Sequence, residues 1–124
     1  MIHRRLHSKW TALLAILVLI GGTARVASAH AILLDSTPKA NSTVKGAELA
    51  VDLRFNVRID GTRSKLVLVG PDGSAKTLSI AKQTSPDHLQ SSAEGLTPGP
   101  YKLQWSVLAS DGHMTRGQIP FAVS

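Results

Sequence analysis

The chain has 124 residues, with 14 Lys and Arg against eight Asp and Glu, five His and no Cys. The absence of cysteine excludes disulfide frameworks, thiolate metal centres and thiol catalysis. The net charge of +6 is not evidence for nucleic-acid binding. The first 29 residues hold four of the basic side chains and none of the acidic ones, so residues 30–124 carry only +2.

Those first 29 residues have the three parts of a secretory signal. His3, Arg4, Arg5, His7 and Lys9 form a cationic start, and Ala12 to Ile20 is an unbroken apolar run. The run is shorter than the roughly 20 residues that a membrane-spanning helix needs. Ala27-Ser28-Ala29 then supplies a small-residue cleavage pattern. The expectation is a cleaved signal peptide over 1–29 and one exported domain over 30–124.

Beyond His30 the apolar residues recur with a period of two, between short turn sequences. Strands are predicted over 31–35, 47–55, 64–69, 76–80, 88–91, 101–109 and 117–123. Gly70-Pro71-Asp72-Gly73 and Leu96-Thr97-Pro98-Gly99-Pro100 are turns, because Pro fixes φ and Gly admits φ > 0. Seven short strands and no helical stripe indicate an all-β, antiparallel sandwich or barrel. Trp105, Phe121 and Phe55 are the predicted core anchors. No G-x-S-x-G, P-loop or H-E-x-x-H sequence occurs.

Cleavage after Ala29 makes His30 the first residue of the exported chain, with a free α-amino group beside its imidazole. Such a pair of neutral nitrogens suits Cu(II). Ser110-Asp111-Gly112-His113 adds a carboxylate and a second imidazole. In a strand or its extension Asp111 and His113 point to one side across Gly112. Alone, the motif also reads as a turn, with Asp111 as an Asx-turn residue and His113 bonded to backbone. His88, in a polar segment, reads as a surface histidine without a partner.

His30-Ala31-Ile32-Leu33, Ser36-Thr37-Pro38, Leu53-Arg54-Phe55, Pro71-Asp72-Gly73, Leu96-Thr97-Pro98-Gly99, Tyr101, and Trp105 through Phe121 with its Asp-Gly-His together resemble the CopC family of periplasmic copper-binding proteins. The resemblance implies a seven-stranded Greek-key sandwich, similar to cupredoxins and immunoglobulin domains in outline. It implies one Cu(II) ion per mature chain, held by the amine and imidazole of His30, Asp111 and His113. It also implies a copper carrier or buffer rather than an enzyme, with a membrane copper-transport protein as partner. Some members carry a glutamate just after the second-strand phenylalanine, where Asn56 stands here. Others have a methionine-rich Cu(I) site, for which residues 30–124 offer only Met114. Two alternatives are a histidine-brace copper redox enzyme and a metal-free immunoglobulin-like interaction module.

Overall fold

Alternating burial builds the two faces of this molecule. A computed structural model describes residues 30–124, so the predicted signal segment lies outside the described residues. The strands are β1 (Leu33–Thr37), β2 (Thr43–Val44), β3 (Leu49–Phe55), β4 (Ile59–Val69), β5 (Ala75–Leu78), β6 (His88–Ala93), β7 (Gly99–Ala109) and β8 (Met114–Val123). They form a three-stranded sheet, β1-β3-β6, and a five-stranded sheet, β2-β8-β7-β4-β5. In β3, Leu49, Val51, Leu53 and Phe55 are buried; in β7, Tyr101, Leu103, Trp105, Val107 and Ala109 are. Side chains at every second position thus meet between the sheets.

The all-β sandwich agrees with the sequence pattern, but the strand count among the described residues is eight, not seven. The added strand, β2, has two residues and pairs with β8 in parallel, the one departure from antiparallel pairing. Two residues in a polar stretch leave no periodic signal. β4 begins at Ile59 instead of Ser64 because its register against β7 shifts between Asp60 and Lys65. That irregularity scrambles the alternation that marks a strand. β8 likewise begins at Met114, three residues earlier than predicted.

The core is entirely apolar: no polar or charged side chain is buried among the described residues. Phe55 and Trp105 meet edge to face at 5.3 Å, and Tyr101 stacks on Phe121 at 5.6 Å. The Tyr101 hydroxyl donates to the Thr97 carbonyl at 2.8 Å and accepts from the Thr97 N–H at 3.0 Å, fastening the turn before β7.

Trp105 also explains a glycine. Its cross-strand partner is Gly117, and a Cβ at 117 falls 2.3 Å from the indole Cζ2. The ring therefore lies over bare backbone, filling space that a side chain would occupy. Trp105→Ala is expected to cost about 3–5 kcal/mol, read as a lowered urea midpoint by far-UV circular dichroism. Gly117→Ala is expected to destabilise the native protein, and much less so when Trp105 is already alanine. Equal costs in both backgrounds would show that the indole is not what constrains residue 117.

Candidate metal centre

β7 and β8 pair in continuous register from Gly99 opposite Val123 to Leu108 opposite Met114. Their connection is the tight turn Ser110-Asp111-Gly112-His113. The Gly112 N–H donates to the Ala109 carbonyl at 2.9 Å, and the Ala109 N–H to the His113 carbonyl at 2.9 Å. Gly112 has φ +86°, a left-handed conformation that glycine adopts without Cβ strain. The Ser110 N–H reaches the Arg58 carbonyl at 3.1 Å, tying this turn to the β3–β4 connection.

Asp111 and His113 are brought together by the turn, not by the side-to-side alternation of a strand. Asp111 Oδ1 accepts the His113 backbone N–H at 3.0 Å. Its Oδ2 lies 3.0 Å from His113 Nδ1. The expected Asx turn is therefore present, but the His113 ring bonds this carboxylate and not a backbone group. The backbone N–H of His113, then its ring, then the charges His113 and His30 can carry, hold the Asp111 carboxyl below the usual range against a small opposing desolvation effect.

His30 reaches the same place from the other sheet. Ala31 is buried in the core at 3% exposure. The Ile32 N–H donates to Asn56 Oδ1 at 2.7 Å, and the Asn56 N–H donates to the Ile32 carbonyl at 3.1 Å. This two-bond clamp and the Ala31 plug fix the backbone just after His30. The His30 and His113 rings then lie 5.4 Å apart between centroids, at 65°. Sequence reasoning gave Asn56 no role; its place directly after the β3 phenylalanine was the signal available.

The spacing fits shared coordination. With metal–nitrogen bonds of about 2.0 Å, two imidazoles on one ion have centroids about 4.5 Å apart when adjacent and about 6.4 Å when opposite. The observed 5.4 Å falls between these limits. Two adjacent donors on such an ion are about 2.8 Å apart, close to the 3.0 Å between Asp111 Oδ2 and His113 Nδ1. Even so, no group of three or more His, Cys, Asp and Glu side chains among the described residues is already gathered as a metal cage. The Asp111 carboxylate is turned onto the His113 ring.

Of the other two residues considered, His88 makes its contacts elsewhere and Met114 directly follows His113. His88 has partners, contrary to expectation: its Nδ1 is 2.7 Å from Asp52 Oδ1 and its Nε2 is 3.7 Å from Asp87. Pairing of Arg54 with His88 across β3 and β6 is what places Asp52 within reach, a cross-strand relation that the local sequence does not display. Met114 is exposed and opposes Leu108, one residue out of phase with His113.

A family model described as the CopC domain matches residues 33–124. Protein YobA of Escherichia coli K12 is 36% identical over 99 residues, covering 77% of this chain and 79% of YobA. Copper resistance protein C of Escherichia coli is 31% identical over 114 residues, covering 85% of this chain and 90% of that protein. Copper transport protein CutJ of Bacillus subtilis is 26% identical over 117 residues, 92% of this chain but 21% of CutJ. Among solved structures, CopC from Methylosinus trichosporium OB3b superposes with a TM-score of 0.72 at 29% identity, covering 77% of this chain and 94% of that one.

The Asp111 contacts make a titration prediction. Its carboxyl is expected to titrate below 3.8 in the metal-free protein, followed by carboxyl carbon NMR. His113→Ala removes the ring contact and is expected to raise that midpoint while the backbone contact persists. The stabilisation from this carboxylate is thus present above its ordinary pKa and is lost as pH falls through the depressed one. An unchanged midpoint in His113→Ala would remove the ring from the account.

Proposed function

Because this chain belongs to the CopC family, we propose that it is an exported, periplasmic protein that carries or buffers copper, binding one Cu(II) ion per mature chain at His30, Asp111 and His113. The observation that carries this reading is the meeting of two imidazoles from opposite sheets, 83 positions apart in sequence, at 5.4 Å. Cleavage after Ala29 converts the His30 amide into an amine, so one residue offers two nitrogens. His113 supplies a third and Asp111 an anionic oxygen. Nitrogen and oxygen donors of this kind suit the tetragonal preference of Cu(II). In this reading Asp111 Oδ2 and the His113 ring would both be offered to the ion, and Oδ1 keeps its bond to the His113 backbone N–H.

A membrane copper-transport protein is the partner in this reading. In CutJ the matched unit is a fifth of a longer copper transport protein, so there the unit is covalently joined to the rest. A separate chain needs docking in place of that covalent link. No helix among the described residues is long and apolar enough to cross a membrane. A histidine-brace oxidation catalyst shares the His30 chelate but needs an open equatorial position for oxygen. Asp111, beside both imidazoles, fills such a position and favours stable Cu(II) over redox cycling.

Calorimetry and electron paramagnetic resonance on the exported protein test the site. One Cu(II) per chain with three nitrogen donors is expected. His30→Ala, His113→Ala and a single Ala added ahead of His30 are each expected to weaken binding by at least ~100-fold. Acidification from pH 7 to 5 is expected to weaken binding more than ~10-fold, because the nitrogen donors must shed protons to bind. Asp111, held low, stays ionised over that range. Full affinity in the Ala-extended protein would sink the amine-anchored site.

A further inference from the structure

We propose that Asn56 is a positioning residue for His30: its side chain locks the His30 segment onto the β3–β4 connection, the same short connection that holds the Asp111–His113 turn. This deepens the copper reading above and rests on it. The connection is Asn56-Val57-Arg58, between the end of β3 and the start of β4. At one end Asn56 Oδ1 accepts the Ile32 N–H at 2.7 Å, two residues after His30. At the other end the Arg58 carbonyl accepts the Ser110 N–H at 3.1 Å, one residue before Asp111. Two residues of fully extended chain span at most about 7 Å. Both ligand-bearing segments are therefore tied to points on one short piece of backbone, on the scale of the 5.4 Å between the two rings.

The connection is itself held firmly. Phe55 and Ile59, which flank it, are buried, and Val57 packs against the core between them. The Phe55 N–H donates to the Asp87 carbonyl at 2.8 Å, and the Ile59 N–H to the Pro86 carbonyl at 2.8 Å. Gln83 braces the start of β4 with its side chain: Nε2 donates to the Ile59 carbonyl at 3.0 Å, and Oε1 accepts the Gly61 N–H at 2.9 Å. A frame fixed on both sides can transmit position to whatever is bonded to it.

The His30 segment, by contrast, has few holds of its own. The β1–β3 ladder starts at Leu33 opposite Phe55, after both His30 and Ile32. The Ile32 side chain is exposed and gives little anchorage. The holds on this segment are the buried methyl of Ala31 and the two bonds to Asn56, of which the shorter comes from the Asn56 side chain. Loss of that bond frees backbone ahead of Leu33. Ordering the backbone of one residue again when an ion binds lowers affinity by a factor of about ten. An amide suits this place because it accepts without carrying charge, and so keeps its bond while the nitrogen donors shed protons.

The test uses the exported protein and Asn56→Leu, a variant of similar shape that lacks the acceptor. Without metal, its Ile32 amide is expected to exchange with deuterium at least ~10-fold faster than in wild type. The nuclear Overhauser contacts between the His30 and His113 rings are expected to weaken with it. Asn56→Asp keeps an acceptor oxygen and is expected to restore both. Cu(II) affinity of Asn56→Leu is expected to fall about 10-fold, with a urea midpoint near that of wild type. The decisive background is Asp111→Ala/His113→Ala, where His30 binds Cu(II) alone and its place relative to the turn no longer matters. There Asn56→Leu is expected to change affinity by less than ~2-fold. An equal loss in both backgrounds overturns the proposal, because a residue that only stabilises the fold acts alike in each. Wild-type Ile32 exchange or wild-type Cu(II) affinity in Asn56→Leu overturns it as well. Should wild type bind no Cu(II), the copper reading falls, and the exchange and ring contacts still decide whether Asn56 sets the position of His30.

Discussion

The carboxylate of Asp111 holds the turn that unites β7 and β8 of the larger sheet, and the candidate centre depends on it. One oxygen accepts the backbone N–H of His113 and the other meets the His113 ring. The same side chain therefore shapes the loop and sets the direction of an imidazole. In this arrangement the carboxylate divides its work between its two oxygens: Oδ1 maintains the backbone and Oδ2 meets the ring, and under the proposed copper role Oδ2 is the oxygen offered to the ion. A carboxylate that is already anionic, as its lowered pKa requires, releases no proton on accepting a cation. The pH sensitivity of the centre then belongs to its nitrogens.

The stability of the scaffold has to come from packing and strand ladders, because there is no cysteine and, among the described residues, no buried polar side chain. The Trp105–Gly117 pair shows how closely that packing is set, with an indole laid over a residue that has no side chain to move aside. It lies on the same two strands as the Asp111 turn, four ladder positions away from it at the end of the hairpin. A tightly packed hairpin presents its turn with little freedom, which is what a site assembled on a loop requires. The His30 side achieves similar order by a different device. A small buried residue, Ala31, and the reciprocal bonds between Ile32 and Asn56 locate a segment that lies before the first strand.

The long strands were legible in sequence because burial alternates along them without interruption: Leu49 to Phe55 and Tyr101 to Ala109 read as they fold. β2 was not, since two residues contain no period, and the first half of β4 was hidden by its register break. The contacts of His88 were equally invisible, because Asp52 approaches it only through the pairing of β3 with β6. For the candidate centre, residue types and the Asp-Gly-His spacing picked out His30, Asp111 and His113; the fold sets the His30 ring near that of His113 and Asp111 against His113, without gathering a three-ligand group among the described residues. The reason offered for Asp111 and His113, strand alternation, gives way to an Asx turn. Asn56 escaped notice because a single amide in a connecting segment has no pattern of its own; only the fold shows which backbone it clamps.

Placement of the cluster on the rim rather than within the core bears on what it does with an ion. A buried centre would hold its metal behind packed side chains and release it only by local opening. Here His113 keeps 58% of its side chain in solvent, and His30 is exposed at the start of the described chain. Under the proposed copper role, donors in that position would be reachable by an incoming ligand without any unfolding of the sandwich. Rigid support beneath and access above are opposite demands, and the molecule divides them. Ala31, Asn56 and the β7–β8 turn supply the first, and the exposure of His30 and His113 among the described residues supplies the second. That division suits the copper-carrying role proposed for this protein.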